Sequence, residues 1–281
     1  EVRNAMADWI ISAFADEYSP DLAGQIAALQ SFHIPCIELR FLDGKNVADL
    51  TAAEAKQAKQ LLSSGGIRVS ALGSPLGKIN LADDFAAHME KARNVFEIAG
   101  IMETDKIRMF SFYIPQNEDC GKYTDKVMSR LEQFLSAAKG SDVILCHENE
   151  KDIYGDIAPR CLEIHQNFPT LKAIFDPANF IQCGQDTIEA WELLAPYVEY
   201  MHIKDALADG SVVPAGKGIG NIPYLLSEYK GNVLTIEPHL SVFTGLAQLE
   251  ADKKTSINPY SYPDSRAAFD AAVNALKEII V

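Results

Sequence analysis

The chain of 281 residues has no uninterrupted apolar run of about eighteen residues, which is the length that a membrane-spanning helix needs. It also has few basic residues, because 25 Lys and Arg stand against 39 Asp and Glu, giving a formal net charge of −14. Contact with nucleic-acid phosphates needs concentrated Lys and Arg. We therefore expect neither a membrane nor a nucleic acid as a partner.

Closely spaced cysteine pairs are absent as well. The five cysteines contain no CxxC pair and are odd in number, which argues against a disulfide framework and against a thiolate-bound structural zinc site. Reduced thiols in the cytoplasm are the simplest interpretation, and we find no segment with the character of a signal peptide. Residues 1–5, before Met6, are expected to be a vector-derived remnant, so that one domain spans residues 6–281.

Short β-branched runs alternate with longer stretches of helical period along the whole chain, a pattern typical of a parallel α/β sheet. We predict strands at 9–15, 36–40, 67–73, 107–113, 142–148, 171–176, 198–204 and 232–238. Helices are predicted at 20–33, 51–64, 82–99, 122–139, 157–167, 186–196, 221–229 and 264–279. This eightfold alternation favours a single-domain (β/α)₈ TIM barrel over a doubly wound sheet.

Start signals accompany two of the predicted helices. Ser19 precedes Pro20, as an N-cap residue precedes a first-turn proline, and Thr51 with Glu54 fits a capping box. Two loops are longer than the others, at 114–121 and 239–261, and both would lie on the catalytic face of a barrel. A loop of that length is either a lid or a subunit contact.

Four predicted strands of the second half end on a side chain that binds metals. These are VILCHENE with Glu148, LKAIFDP with Asp176, YVEYMHIKD with His202 and VLTIEPH with Glu237, at intervals of 28, 26 and 35 residues. A strand, a helix and two loops need about thirty residues, so successive βα units would bring these side chains to the same end of neighbouring strands. The spacing therefore predicts three carboxylates and one imidazole around one point.

Three carboxylates taken partly out of water repel one another, and a divalent cation relieves that repulsion. Carboxylate oxygens with one imidazole and no thiolate suit Mn²⁺, Mg²⁺, Co²⁺ or Zn²⁺. We therefore predict one divalent metal ion as the cofactor, without a choice among these four.

The segments HENEKDIYGD, FDPANF, HIKD and IEPH, in this order and at the ends of strands five to eight, resemble the xylose isomerase-like TIM barrel family. This family includes sugar and sugar-phosphate isomerases and epimerases, inosose dehydratase-like lyases and, more distantly, endonuclease IV. The resemblance implies that Glu148, Asp176, His202 and Glu237 bind the metal. It also implies that Glu148 and Glu237 are the catalytic acid/base pair, transferring a proton through an enediolate that the metal stabilises.

Five further residues are candidates for contact with the substrate. Asn179 matches a position where related enzymes are similar in placing a His or Asn near substrate hydroxyls, although it could equally cap the following turn. Lys204 shares the inward side of the strand with His202, and Glu150 shares that of Glu148. The remaining two are Lys78, in GSPLGK, and Lys217, in GKGIGN.

The GKGIGN segment is not a P-loop, because no strand precedes it and no Ser or Thr follows its lysine. It could still hold a phosphate with backbone N–H groups or be a tight glycine turn. Asp205 is expected to orient one of the metal ligands by contacting it, without binding the metal itself. His147 should point away from the barrel interior, and we interpret it as structural.

The leading functional hypothesis is a metal-dependent isomerase or epimerase of a sugar or sugar phosphate. An inosose-type dehydratase would use the same metal site and the same proton abstraction, and a non-catalytic sugar-binding barrel would keep the residues without turnover. Endonuclease IV chemistry ranks below these, because none of the six histidines falls at the end of strand two or three. The resemblance also allows a homo-oligomer.

Overall fold

The computed structural model describes residues 9–242 and 262–281. In this part of the chain, eight parallel strands close into a barrel. They are β1 Ile10–Ala13, β2 Cys36–Leu39, β3 Arg68–Leu76, β4 Lys106–Met109, β5 Ile144–Glu148, β6 Lys172–Phe175, β7 Val198–Ile203 and β8 Val233–Ile236. Their order around the barrel is β1-β8-β7-β6-β5-β4-β3-β2. The predicted (β/α)₈ barrel is confirmed, and every predicted strand overlaps one of these eight.

Helices surround the barrel and cover its outer surface. They are α1 Leu22–Phe32, α2 Ala52–Ser64, α3 Phe85–Met102, α4 Thr124–Ala138, α5 Ala158–Asn167, α6 Pro177–Gln182, α7 Thr187–Leu194, α8 Ile222–Glu228 and α9 Ser265–Ile280. Short 3₁₀ helices lie at Ala15–Glu17, Val47–Asp49, Cys120–Tyr123 and Ala195–Tyr197. The eight predicted helices are confirmed, whereas α6 was not predicted because its six residues are too few to show helical periodicity.

The two predicted helix starts had different outcomes. Thr51 and Glu54 form the expected capping box at the start of α2. The prediction of Ser19 as an N-cap was wrong. The helix α1 begins two residues later than predicted, at Leu22, and Asp21 is its N-cap, accepting a hydrogen bond from the Gly24 N–H. The Ser19 hydroxyl instead donates to the Asp21 carboxylate at 2.7 Å.

Side chains alternate along each strand between the outside of the barrel, where they pack against the helices, and its inside. Outward side chains such as Leu145 and Met201 join the large apolar core between strands and helices. Inside the barrel lies a much smaller apolar cluster, made of Ala71, Cys146, Ile174 and Tyr200. Beyond this cluster, toward the carboxyl ends of the strands, the inward positions are charged, and this is where the candidate site lies.

Two antiparallel hairpins extend from the carboxyl ends of the strands. Phe41–Leu42 pairs with Lys45–Asn46 after β2, and Asp205–Ala206 pairs with Val212–Val213 after β7. Most of the predicted long loop at 239–261, and the predicted remnant at 1–5, lie outside the described residues. Among the helices that the structure describes, none combines the length and the apolar character needed to cross a bilayer.

Candidate metal centre

The four residues predicted as metal ligands are brought together at the carboxyl ends of β5 to β8. Glu148 is the last residue of β5, Asp176 follows β6 as the N-cap of α6, His202 lies in β7, and Glu237 follows β8. One ligand atom from each lies within 4.8 Å of those of the other three, and all four residues are buried. The parallel strands place the side chains together because their carboxyl ends share one face of the barrel.

The chemistry of this cluster fits one divalent metal ion. Three carboxylates and one imidazole form a donor set that such ions accept. Asp176 Oδ1 accepts the Asn179 N–H that starts α6, while Asp176 Oδ2 is buried without a hydrogen bond of its own. That oxygen lies at the cluster with the Lys204 ammonium 2.9 Å away, and it is a ligand atom that a metal cation could bind.

Two buried cations also reach the four residues, one just after β7 and one from β4. Lys204 Nζ lies 2.9 Å from both Asp176 Oδ2 and Glu237 Oε2, although only the contact with Glu237 has hydrogen-bond geometry. Arg108 Nη1 donates to Glu148 Oε2 at 3.1 Å. The structure thus brings Lys204 into the site, where it was predicted, and adds Arg108, which was not.

Arg40 is the second cation that sequence reasoning missed. It donates to Glu237 at 3.1 Å, to both oxygens of Asp16 and to Glu17 at 3.0 Å. Its guanidinium carbon lies 4.1 Å from the centre of the Phe14 ring, which adds a cation–π contact. Arg40 therefore joins the end of β1 to the end of β8 through the barrel interior.

The cluster still has more carboxylates than cations. Around the cluster the buried carboxylates are Asp16, Glu17, Glu38, Glu148, Asp176 and Glu237, against the buried cations Arg40, Arg108 and Lys204 and the imidazole of His202, whose pKa burial lowers but Glu148 and Glu38 raise well above its usual value. Burial raises the pKa of Asp176 to about 7 against the opposing effect of Lys204, and burial likewise raises that of Glu17 to about 8. A divalent cation would offset this excess of negative charge.

The remaining cluster residues are held in their charged forms. Burial alone would raise the pKa of Glu148, but His202 and Arg108 outweigh it and lower that pKa. Lys204 has the same effect on Glu237, whose pKa is well below its usual value. Burial lowers the pKa of Lys204, yet Asp176 and Glu237 keep it well above normal. The site therefore pairs two ionised glutamates with a protonated lysine.

Asn179, Glu150 and Lys78 lie around this centre. Asn179 Nδ2 donates to the Asn149 carbonyl at 2.9 Å and lies 3.4 Å from Glu148 Oε1, so it borders the cluster. Lys78 and Glu150, both predicted to contact substrate, form an ion pair of 3.0 Å at the rim. Lys78 also lines a cavity of about 230 Å³ whose other walls include Lys91 and Arg108.

Asp205 and the glycine loop form a unit beside the cluster. The Asp205 carboxylate accepts hydrogen bonds from the N–H groups of Gly216, Gly218 and Gly220, at 2.8–3.1 Å. The loop does bind an anion through its backbone, but that anion is Asp205. These three N–H groups are therefore not free for a substrate phosphate, and Asp205 contacts the loop rather than a member of the cluster.

Two further predicted positions lie away from the cluster. Lys217 is exposed on the glycine loop, and the structure records no polar contact between its side chain and another described residue. Its predicted contact with substrate remains a prediction. His147 points out of the barrel, as expected, where Nε2 lies 2.9 Å from the Ser111 hydroxyl.

A closed eightfold barrel with a buried carboxylate and histidine cluster at its carboxyl-terminal face defines the class of protein. Comparison with known families shows that residues 26–238 match the xylose isomerase-like TIM barrel family. The match covers most of the chain, and this protein belongs to that family.

Individual relatives are distant. The chain is 22% identical over 129 residues to a 3-dehydroshikimate dehydratase of Bacillus anthracis, a match that covers 45% of this chain and about half (46%) of that protein. The crystal structure of IolI protein with bound zinc has a TM-score of 0.74 at 14% identity, covering 96% of this chain and 97% of that one. A D-allulose 3-epimerase from Methylomonas sp., in complex with D-allulose, has the same TM-score and identity, with coverages of 97% and 96%.

Proposed function

We propose that this protein is a divalent-metal-dependent isomerase or epimerase that moves a proton next to the carbonyl group of a sugar or sugar phosphate. The observation that carries the proposal is the buried cluster of Glu148, Asp176, His202 and Glu237, whose ligand atoms lie within 4.8 Å of one another. A D-allulose 3-epimerase of the same fold supports the sugar as substrate class.

Glu148 and Glu237 have the chemistry of an acid/base pair. Both are buried, and the lowered pKa of each keeps it ionised and able to accept a proton. Since β6 and β7 lie between their strands in the barrel, the two carboxylates approach the centre from different sides. Proton removal on one face of a substrate carbon and return on the other need this arrangement. One glutamate accepts the proton, and the protonated Lys204, which donates to Glu237, supplies the proton that is returned on the other face. A divalent ion held by the four cluster residues would supply Lewis acidity toward the substrate carbonyl.

Lys204 and Asn179 fit the role of holding substrate oxygens. The raised pKa of Lys204 keeps its ammonium group protonated, so it can donate to a carbonyl or hydroxyl oxygen near the carboxylates. Asn179 lies next to Glu148 and has a side-chain amide suited to hydroxyl groups. Lys78 and Lys91 line the neighbouring cavity. Each is paired with a carboxylate, Glu150 or Asp49, so these lysines do not select a phosphorylated sugar over a free one.

Dehydration is the second candidate, and Lys204 is the observation that favours it. A protonated amine beside an ionised glutamate can give its proton to a departing hydroxyl after the glutamate has removed the proton on the adjacent carbon. The partial match to a 3-dehydroshikimate dehydratase supports this alternative. Both reactions begin with the same proton abstraction.

The test is proton NMR of the metal-loaded protein in D₂O with a panel of ketoses, their phosphates and cyclic polyhydroxy ketones. Isomerisation or epimerisation replaces one C–H by C–D and forms the isomer, whereas dehydration forms an enone. Calorimetric binding of sugars without exchange or product would support a sugar-binding barrel instead. Protein that neither retains a divalent ion nor exchanges any C–H would contradict the proposed function.

A further inference from the structure

Glu38 contacts His202 across the interior of the barrel. Glu38 lies in β2 and His202 in β7, with β1 and β8 between them on the shorter way round. His202 Nε2 lies 3.1 Å from Glu38 Oε2, and Nδ1 lies 2.9 Å from Glu148 Oε1. Both Glu38 and His202 are completely buried. One ring nitrogen therefore faces the candidate metal centre, and the other faces away from it toward Glu38.

Tyr200 fixes the orientation of Glu38. The Tyr200 hydroxyl donates to Glu38 Oε1 at 2.9 Å, so each oxygen of this carboxylate accepts one hydrogen bond. Tyr200 and His202 are two residues apart on β7 and both point inward. Tyr200 also packs in the apolar cluster beneath the site. The Glu38 carboxylate is thus held from below by the strand that carries the histidine.

The ring of His202 has its plane fixed as well. Phe14 meets it edge-on, with ring centres 5.2 Å apart and planes at 81°. Because an ionised carboxylate only accepts hydrogen bonds, the Nε2 atom that faces Glu38 must carry a hydrogen. Nδ1 faces the ionised Glu148 and so also carries a hydrogen in this structure, and this is the hydrogen that a cation at the candidate centre would replace.

We infer that Glu38 is a positioning residue, which holds His202 in the Nε2–H form with Nδ1 aimed at the candidate metal centre. This inference rests on the proposed metal-dependent function. Carboxylates that accept from the distal nitrogen of a metal-bound histidine fix its ring orientation and raise its basicity, and their loss commonly weakens metal binding 10- to 100-fold. Among the four predicted ligands Glu38 contacts His202 alone. Arg108, which donates to Glu148, also links Glu38 to the centre electrostatically, so the His202 ring signals are the readout that is specific to positioning.

The experiment compares zinc affinity, measured by competition with a chromophoric chelator, and the ring ¹⁵N signals of His202 in zinc-loaded protein. We expect Glu38→Gln to weaken zinc binding about 10- to 100-fold and to shift the Nε2 signal of His202. Tyr200→Phe should cause a smaller loss, about two- to fivefold, with the same direction of shift. The matched controls are Glu163→Gln and Tyr154→Phe, because Tyr154 donates to Glu163 in the same way at 2.6 Å and neither residue contacts the four candidate ligands. These controls should leave zinc affinity unchanged.

Glu38→Gln that folds, binds zinc within twofold of wild type and leaves the His202 signals unmoved would overturn the inference. If Glu38→Gln does not fold, Tyr200→Phe decides, and unchanged affinity with unchanged signals again overturns it. Wild-type protein that binds no zinc through His202 would instead contradict the proposed function, and with it this inference. The two failures are therefore distinguishable.

Discussion

Arg40 donates a hydrogen bond from Nη1 to Glu237 Oε1 at 3.1 Å, although the two residues are 197 positions apart in the chain. The same guanidinium also forms ion pairs with Asp16 and Glu17. We expect Arg40→Met to lower the free energy of unfolding by about 3–5 kcal/mol, because it leaves buried carboxylates without their cation. Urea denaturation measures the loss. Arg93→Met, which breaks an exposed ion pair with Glu90, should cost less than about 1 kcal/mol, and equal losses would contradict the argument.

Replacing either candidate catalytic glutamate should stop turnover without unfolding the protein. Glu148→Gln and Glu237→Gln remove the base while keeping the side-chain volume, so we expect turnover to fall by about 10²- to 10⁴-fold. The measurement is C–H exchange in D₂O on a substrate found with wild type, together with metal content. Glu192→Gln, on the exposed side of α7, is the control. Near-wild-type turnover with retained metal in both active-site variants would refute the mechanism.

Lys204 competes with a cation for the carboxylates it contacts. Its Nζ lies 2.9 Å from an oxygen of Asp176 and from one of Glu237. Lys204→Met removes a positive charge from the centre, so we expect metal affinity to rise at least about tenfold while turnover falls. Isothermal titration with zinc or magnesium measures the affinity. Weaker metal binding in this variant would show that Lys204 organises the ligands rather than competing for them.

Gly218 has no room for a side chain. A Cβ atom at this position would overlap the Ala206 carbonyl oxygen and Asp205 Oδ1. We expect Gly218→Ala to destabilise the fold by about 1–3 kcal/mol through displacement of the glycine loop. Gly100→Ala is the control, because nothing lies within 4 Å of its Cβ position in α3, and it should stabilise the protein by about 0.5–1 kcal/mol. Thermal unfolding of both variants is the measurement. The melting temperature should fall in Gly218→Ala and rise in Gly100→Ala.

His165 makes the protein sensitive to acid. It is buried, and burial lowers its pKa from 6.5 to about 4. Nδ1 lies 2.9 Å from the Leu171 carbonyl and must donate to it. The unfolded chain therefore binds this proton first, so the histidine's contribution to stability is complete above pH 6.5 and is lost as the pH falls toward 4. Between pH 6.5 and pH 4, the free energy of unfolding should therefore fall by about 2–3 kcal/mol less in His165→Gln than in wild type. Urea denaturation at several pH values measures this difference, and an equal loss of stability in both proteins would contradict the assigned role of His165.

The sequence was sufficient to predict the barrel and the four clustered residues. The carboxyl ends of parallel strands lie on one face of the barrel. Metal-binding side chains at the ends of four successive strands must therefore lie close together on that face. The same logic located Lys204 beside His202. It could not show that Lys78 and Glu150 pair with each other, because that contact joins loops after β3 and β5 whose conformations follow no simple period.

The sequence does contain a weak indication of the three residues that were not predicted, which are Glu38, Arg40 and Arg108. Glu38 and Arg40 alternate within the β2 segment CIELR, and Arg108 occupies an inward position of β4. Charged side chains at alternate positions of an otherwise apolar strand indicate a charged barrel interior. Their pairing could not be read from spacing, because Arg40 and Glu237 meet only when the sheet closes between β1 and β8.

The buried ion pairs divide the chain into two complementary halves. All four candidate ligands lie between residues 148 and 237, whereas Glu38, Arg40 and Arg108 come from the first four strands. A polypeptide that began at β5 would contain every candidate ligand and lack two of the three cations that neutralise them. Cleavage between α4 and β5 would therefore separate the donors from their counterions, and only the two fragments reassembled together would restore the centre.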